Sequence, residues 1–247
     1  MNIETVNILN TNIANQSMSQ IVMIIDNSIK LKKQIHLTGV NASKLVDMAK
    51  DNILKNSVDQ SDIIIPDGQS VVWASKILHQ PLRERIAGID LMANVVELAY
   101  KNNYRIFLFG AKEEIVKGVV EKYSKQYSES IIAGYRNGYF TSEDEKSIVQ
   151  QIKESKADIL FVAMTSPKQE VFLNNYKKEL KNISYLTEVG GSFDVIAGKV
   201  SRAPKWMQKN GLEWFYRFLQ EPKRMWKRYL VSNSKFIYLV FKAKFKI

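Results

Sequence analysis

Six short runs rich in β-branched and aromatic residues alternate with stretches of helical periodicity, and this alternation constrains the fold more than any other feature. The runs are Ile35 to Leu37, Asp62 to Ile65, Arg105 to Phe109, Ser130 to Ile132, Asp158 to Ala163 and Ser184 to Val189. Helices are expected over Asn41 to Asn56, Gly88 to Asn103, Lys112 to Tyr127, Ser142 to Ser155 and Lys168 to Leu180. Asn41 and Ser142 suit helix N-caps, with Glu145 three residues after Ser142 as in a capping box. Strand and helix in alternation predict an α/β fold, a mostly parallel sheet with helices on both faces.

In such sheets a ligand lies beyond the carboxyl ends of the strands. Three loops then become a candidate site. Pro66-Asp67-Gly68 sets a carboxylate at the mouth of the cleft, beside a glycine that allows close backbone approach. Thr165-Ser166-Pro167-Lys168-Gln169-Glu170 starts a helix with proline, leaving N–H groups pointing outward. Gly190-Gly191-Ser192-Phe193-Asp194 offers a glycine pair against which a phosphate or a sugar can lie.

Several chemistries are disfavoured. The chain has no Gly-x-Gly-x-x-Gly, and Phe109-Gly110-Ala111-Lys112 lacks the rest of a Walker loop. No cysteine is present, which excludes disulfides, thiolate metal sites and cysteine nucleophiles. No Asp-x-Asp occurs, so no metal ion held by paired carboxylates is expected, and no cofactor. His36 and His79 stand alone and read as structural or surface residues. Glu143-Asp144-Glu145 reads as a helix start favoured by the macrodipole.

The charge is concentrated at one end. Residues 200–247 carry twelve Lys and Arg against two Glu, or +10 of the chain's net +11. The same segment holds Trp206, Trp214 and Trp226. Cations interleaved with large aromatics call for an anionic partner with an apolar or stacking surface, either a phospholipid interface or a nucleic acid. The longest apolar run there, Phe236 to Phe241, is far below the roughly 20 residues of a spanning helix. The start of the chain has no signal-peptide pattern. Two units are expected: an α/β catalytic domain over residues 1–200 and a helical appendage over 201–247. Pro222 is expected to begin a second helix in that appendage, after Gln220.

Blocks of residues along nearly the whole chain carry a resemblance. They are Asn41-Ala42; Asp67-Gly68 with Val71-Val72-Trp73-Ala74; Pro81-Leu82 with Glu84-Arg85-Ile86-Ala87-Gly88-Ile89-Asp90-Leu91; and Pro167-Lys168-Gln169-Glu170. Further on come Val189-Gly190-Gly191-Ser192-Phe193-Asp194, Ala197-Gly198, Arg202-Ala203-Pro204, Gly211-Leu212-Glu213-Trp214 with Tyr216-Arg217, and Glu221-Pro222 with Arg224. In these the chain resembles the WecG/TagA/CpsF family of bacterial glycosyltransferases.

The resemblance implies a Rossmann-like enzyme, peripheral on the cytoplasmic face of the membrane. It would move a sugar from a UDP-sugar to a sugar on a polyprenyl diphosphate, inverting the anomeric centre without a metal. It places the general base at Asp67, an active-site glutamine at Gln169 and tail cations at Arg217 and Arg224, with Lys227 and Arg228 as further basic positions. Gly190, Gly191 and Asp194 would lie by the donor nucleotide, and Thr38, Asn41, Arg85, Asp90 and Lys168 would complete the substrate contacts. Inverting transfer needs a base for the attacking hydroxyl and stabilisation of a departing diphosphate, which arginine forks and backbone N–H groups suit. Gln169 could serve the acceptor or the leaving group. Arg217 and Arg224 are expected to turn inward to close the site, while Lys223, Lys227, Lys235, Lys242, Lys244 and Lys246 meet anionic lipid.

Four positions depart from the family pattern. Gly39 stands two before Asn41 where many relatives have threonine, and Ser70, Thr165 and Glu188 stand where glycine is usual. These are read as a change of sugar rather than loss of activity. An N-acetylmannosamine-type donor is the first choice, with its uronic acid, glucose and galactose as alternatives, for teichoic acid, capsule or exopolysaccharide. A nucleic-acid-binding protein would not need a near-neutral body with a carboxylate at a strand end. A non-catalytic accessory subunit of polysaccharide assembly is the remaining rival. A homo-oligomer is a further expectation, because exposed aromatics favour burial.

Overall fold

A computed structural model describes residues 3–245, without the side chains at 223–225 and 227–230. The chain opens with an antiparallel hairpin, Thr5–Ile8 (β1) and Thr11–Ala14 (β2), and the helix Met18–Lys30 (α1). Then follow Ile35–Val40 (β3), Ala42–Met48 (α2), Asn52–Asp59 (α3), Ile63–Pro66 (β4), Gln69–Ile77 (α4), Gly88–Asn102 (α5) and Ile106–Gly110 (β5). Glu113–Gln126 (α6), Ile132–Arg136 (β6), Glu145–Glu154 (α7), Ile159–Ala163 (β7), Lys168–Tyr176 (α8), Tyr185–Glu188 (β8) and Ser192–Ile196 (α9) complete the α/β body. The tail is Lys205–Lys209 (α10), Glu213–Gln220 (α11) and Pro222–Phe245 (α12).

β3 to β8 form one sheet in the order β4-β3-β8-β7-β5-β6. Every pairing in it is parallel. Side-chain alternation divides the core between its two faces. Leu37, Ile63, Ile65, Ile106, Leu108, Ile159, Phe161 and Tyr185 meet α1, α5 and α6 on one face. Phe107, Phe109, Leu160, Val162 and Leu186 meet α7 and α8 on the other. At the β3–β4 end of that second face, Val40 and Ile64 pack with the hairpin, α2, α3 and α4. Phe236 and Val240 of α12 are buried in the same cluster, so the far half of the tail is seated on the body.

Several boundaries differ from expectation for local reasons. The segment from Asn41 to Asn56 is two helices, because Asp51 prefers to cap: its Oδ1 accepts from the N–H groups of Ile53 (2.9 Å) and Leu54 (3.0 Å). The capping box near residue 142 is Thr141 with Asp144, not Ser142 with Glu145. It starts a 3-10 turn over Ser142–Asp144 that leads into α7. Ser128 likewise caps a 3-10 turn at Glu129–Ile131, which delays β6 to Ile132. Asn41 caps α2 as expected, its side-chain oxygen accepting from Lys44 N–H at 3.1 Å. Pro222 begins α12 as expected. Among the described residues no helix is long and apolar enough to cross a membrane.

Candidate active site

The order β4-β3-β8-β7 sets the four loops that follow these strands side by side. They form the floor of a cleft of about 1840 Å³ lined by Asn41, Asp67, Gln169, Gly190, Gly191 and Arg217, with Lys168, Asp194 and Arg85 also on its wall. Tight packing holds the loops together. A Cβ on Gly68 would stand 2.7 Å from the Asn41 Cβ, so only glycine lets these two loops meet. A Cβ on Gly39 would stand 3.1 Å from the Asp67 Cβ, which gives the departure at position 39 a steric setting beside the carboxylate.

Asp67 is half-buried and oriented from two sides. Its Oδ1 accepts from the Gly88 N–H at the start of α5 (2.7 Å), and its backbone carbonyl accepts from Arg85 Nε (2.8 Å). Among the described residues Oδ2 takes no hydrogen bond, so one carboxylate oxygen is fixed and the other is available to receive a proton.

Gln169 lies in the first turn of α8, nearly buried. Its Oε1 accepts from the Met164 N–H (3.3 Å) and its Nε2 donates to Glu170 Oε1 (3.1 Å). Glu170 is fully buried and pairs with Lys44 at 2.7 Å. Burial would push the Lys44 ammonium down, but Glu170, then Glu188 and Asp67, outweigh it and raise it above its ordinary value. Glu188 in turn pairs with His36 at 2.8 Å, both fully enclosed. Burial would raise the Glu188 carboxyl; the His36 ring, with Lys44 beyond it, overrides this and holds it low. His36 is therefore a structural residue, as expected. His79 is exposed and contacts Lys244. Thr38 is fully buried on the same sheet face as His36 and Glu188 and, unlike Glu188, does not line the cleft.

The glycine loop meets a cation from the tail. Gly190 has φ +49, which favours glycine, whereas Gly191 has an ordinary φ of −77. What Gly191 lacks is room: a Cβ there would lie 2.5 Å from Arg217 Nη2. Arg217 thus rests its guanidinium against the loop. The side chains of Arg224, Lys227 and Arg228 lie outside the described residues, as do those of Lys223 and Lys246. Lys168 sits over the Phe140 ring at 3.5 Å on the rim. Asp194 lies in the first turn of α9.

Arg85 and Asp90 are engaged with the tail. Arg202 grips Asp90 with two hydrogen bonds (2.6 and 2.7 Å) and reaches Glu213 at 3.3 Å. Glu213 pairs with Arg85 at 2.5 Å, and Arg85 holds the Asp67 carbonyl. A continuous chain of polar contacts therefore runs from the tail to the loop bearing Asp67. In the sequence, Arg202, Glu213 and Glu170 stand out only as members of blocks shared with the family, and Lys44 belongs to none of them. The one signal for Lys44 was its place three residues after the N-cap Asn41, on the turn facing the strand ends.

Apolar side chains also line the cleft, Val46, Trp73 and Ile77 of the body and Ile237, Val240 and Phe241 of α12, with Lys50 and Lys235 among them. Trp226, Ile237, Tyr238, Phe241 and Phe245 are each more than half exposed, Ile237 and Phe241 at the mouth of the cleft they help to line. Lys235 and Lys242 are exposed beside them, while Lys244 donates to the Ile77 carbonyl, folded back toward α4.

A profile of the family described as "Glycosyl transferase WecG/TagA/CpsF family" matches residues 6–247. The chain is 39% identical over 208 residues to a Bacillus subtilis (strain 168) protein named N-acetylglucosaminyldiphosphoundecaprenol N-acetyl-beta-D-mannosaminyltransferase, covering 84% of this chain and 79% of the relative. Proteins of the same name from Bacillus spizizenii and Staphylococcus aureus (strain MW2) are 37% and 38% identical, over 75% and 77% of this chain and 70% and 73% of their own lengths. A match of this extent, with relatives this similar over most of both chains, makes this protein a member of the WecG/TagA/CpsF family of glycosyl transferases.

Proposed function

We propose that this glycosyltransferase moves an N-acetylmannosaminyl residue from its UDP-sugar to N-acetylglucosaminyl-diphosphoundecaprenol at the cytoplasmic membrane surface, with inversion and without a metal ion. The observation that carries the reading is the presence of two groups on the lining of one cleft: Asp67, whose Oδ2 takes no hydrogen bond among the described residues, and the Arg217 guanidinium against the glycine loop. The relatives' names supply the sugar and the acceptor.

In this reading the acceptor hydroxyl oxygen attacks the anomeric carbon as the bond from that carbon to the UDP oxygen breaks. Asp67 Oδ2 takes the hydroxyl proton, and UDP departs carrying the bonding electrons. Charge developing on the β-phosphate is met by glycine-loop N–H groups and by Arg217, a charge-assisted pairing suited to phosphate oxygens. The apolar side chains that body and α12 contribute to the cleft suit the first isoprene units of the acceptor. Exposed aromatics and lysines on α12 support attachment to an anionic leaflet, at about 1 kcal/mol for each basic residue near the surface. Arg85, Arg202, Glu213 and Asp90 act as positioning groups that link the tail's seating to the Asp67 loop.

The test offers a panel of UDP-sugars with a short-chain lipid-linked N-acetylglucosamine and reads UDP release and product mass. Selective turnover of UDP-N-acetylmannosamine is expected. Preference for UDP-glucose or UDP-galactose would reject the sugar assignment, and absence of transfer from every donor would reject the transferase reading of this chain.

A further inference from the structure

The buried ion pair beneath Gln169 decides what that residue can do. Its amide touches one group that can only donate, the Met164 N–H at 3.3 Å, and one carboxylate oxygen, Glu170 Oε1 at 3.1 Å. Reversing the amide would set N–H against N–H and oxygen against oxygen, so both neighbours dictate the same orientation. Lys44, only a tenth exposed and 2.7 Å from the same Glu170 oxygen, holds that oxygen in place. An amide nitrogen has two N–H bonds, and Glu170 occupies one. Nε2 stands 3.9 Å from where a Cβ on Gly190 would lie, so the nitrogen borders the loop and, among the described residues, has a donor left over.

We propose that Glu170, anchored by Lys44, is a positioning residue that turns the Gln169 amide so that an N–H, and not the carbonyl, faces the glycine loop, where it donates to an oxygen of the donor diphosphate. This rests on the UDP-sugar reading above. It assigns Gln169 to the leaving group. It also explains two buried charges that the transfer chemistry does not otherwise need: without Lys44, Glu170 would be an uncompensated charge in the core, and without Glu170 the amide could rotate.

The experiment is a double-mutant cycle on the full chain, with Gln169→Ala, Glu170→Gln and the double variant. It reads donor kcat/KM and, separately, Kd for UDP, with thermal melting to follow the fold. Loss of one hydrogen bond to a charged oxygen corresponds to about tenfold or more in donor kcat/KM for Gln169→Ala. Glu170→Gln should lower it too, and the double variant should be no worse than Gln169→Ala alone, because Glu170 acts through Gln169. Additive losses would overturn the proposal, since a merely structural Glu170 harms the enzyme with or without the amide. Gln169→Glu is read by UDP affinity and does not depend on the Glu170 variants folding. It should weaken UDP binding more than Gln169→Ala, because it turns a donor into an anion beside the diphosphate; unchanged or tighter binding would overturn the proposal. Wild-type protein that binds UDP but transfers no sugar would reject the transferase reading while leaving the UDP comparison intact.

Discussion

Gly191→Ala isolates the contact between tail and loop with a single methyl group. The new Cβ would fall 2.5 Å from Arg217 Nη2, whereas non-bonded heavy atoms settle at roughly 3.5 Å, so the guanidinium must retreat by about 1 Å. The backbone does not resist the change, because φ is −77 at Gly191. Alanine there should gain a few tenths of a kcal/mol to about 1 kcal/mol through the unfolded chain, roughly balancing the shift of a flexible side-chain end. Stability should therefore stay near that of the parent. Activity should not: misplacing a phosphate-binding cation by about 1 Å costs up to about 10²-fold, and loss of a charge-assisted hydrogen bond of about 1.5–3 kcal/mol corresponds to roughly 10- to 150-fold. The assay is steady-state UDP release against donor concentration, beside a melting curve. Arg217→Ala should lose a similar amount, and combining the two should add little. Full donor kcat/KM in Gly191→Ala would refute the placement of Arg217 at the diphosphate. Gly190→Ala is the contrast: at φ +49 it should cost about 1–2 kcal/mol of stability.

Phe236 is 5% exposed in a core cluster with α2, so Phe236→Ala should destabilise the protein by about 3–5 kcal/mol in urea unfolding. Replacing Ile237, Tyr238 and Phe241 by serine should barely change the melting temperature but should release the protein from anionic liposomes in a sedimentation assay. Arg202→Gln should free Asp90 and loosen residues 201–220, seen as faster limited proteolysis there at nearly unchanged global stability. Glu188 is held below its ordinary value of 4.5, so its pairing stabilises the fold above about that pH and the contribution is lost as pH falls through the folded value. Urea midpoints measured between pH 7 and pH 3 should fall more steeply for the parent than for Glu188→Gln.

The parallel sheet was legible because most of its strands are short apolar runs bounded by turns or helical periodicity; β6, Ile-Ala-Gly-Tyr-Arg, is the exception, and the run expected at Ser130 to Ile132 meets it only at Ile132. The three loops were legible because strand ends are where such folds bind. The opening hairpin was hidden: its turn is Leu9-Asn10, both with left-handed φ (51 and 62), where the recognisable signal is Asn-Gly. The buried charges were hidden for a different reason. Lys44, Glu170 and Glu188 are residue types that usually face water, and only the fold brings α2, α8 and β8 together to bury them as pairs. Arg85 and Asp90 were read toward substrate because they sit in a block shared with the family; their partners Arg202 and Glu213 are more than 100 residues away in sequence. The tail read as a charged appendage, which its outer surface is. Its inner surface, carrying Phe236 and Val240, belongs to the core, so point substitutions test it more cleanly than truncation at residue 201.

The account turns on Asp67 as the base. Asp67→Asn keeps the size and the oxygen that the Gly88 N–H requires while removing the proton acceptor. Turnover of UDP-N-acetylmannosamine on the lipid-linked acceptor should fall by about 10²–10⁴-fold, with UDP affinity and melting temperature unchanged. Turnover within a few-fold of the parent would contradict the account.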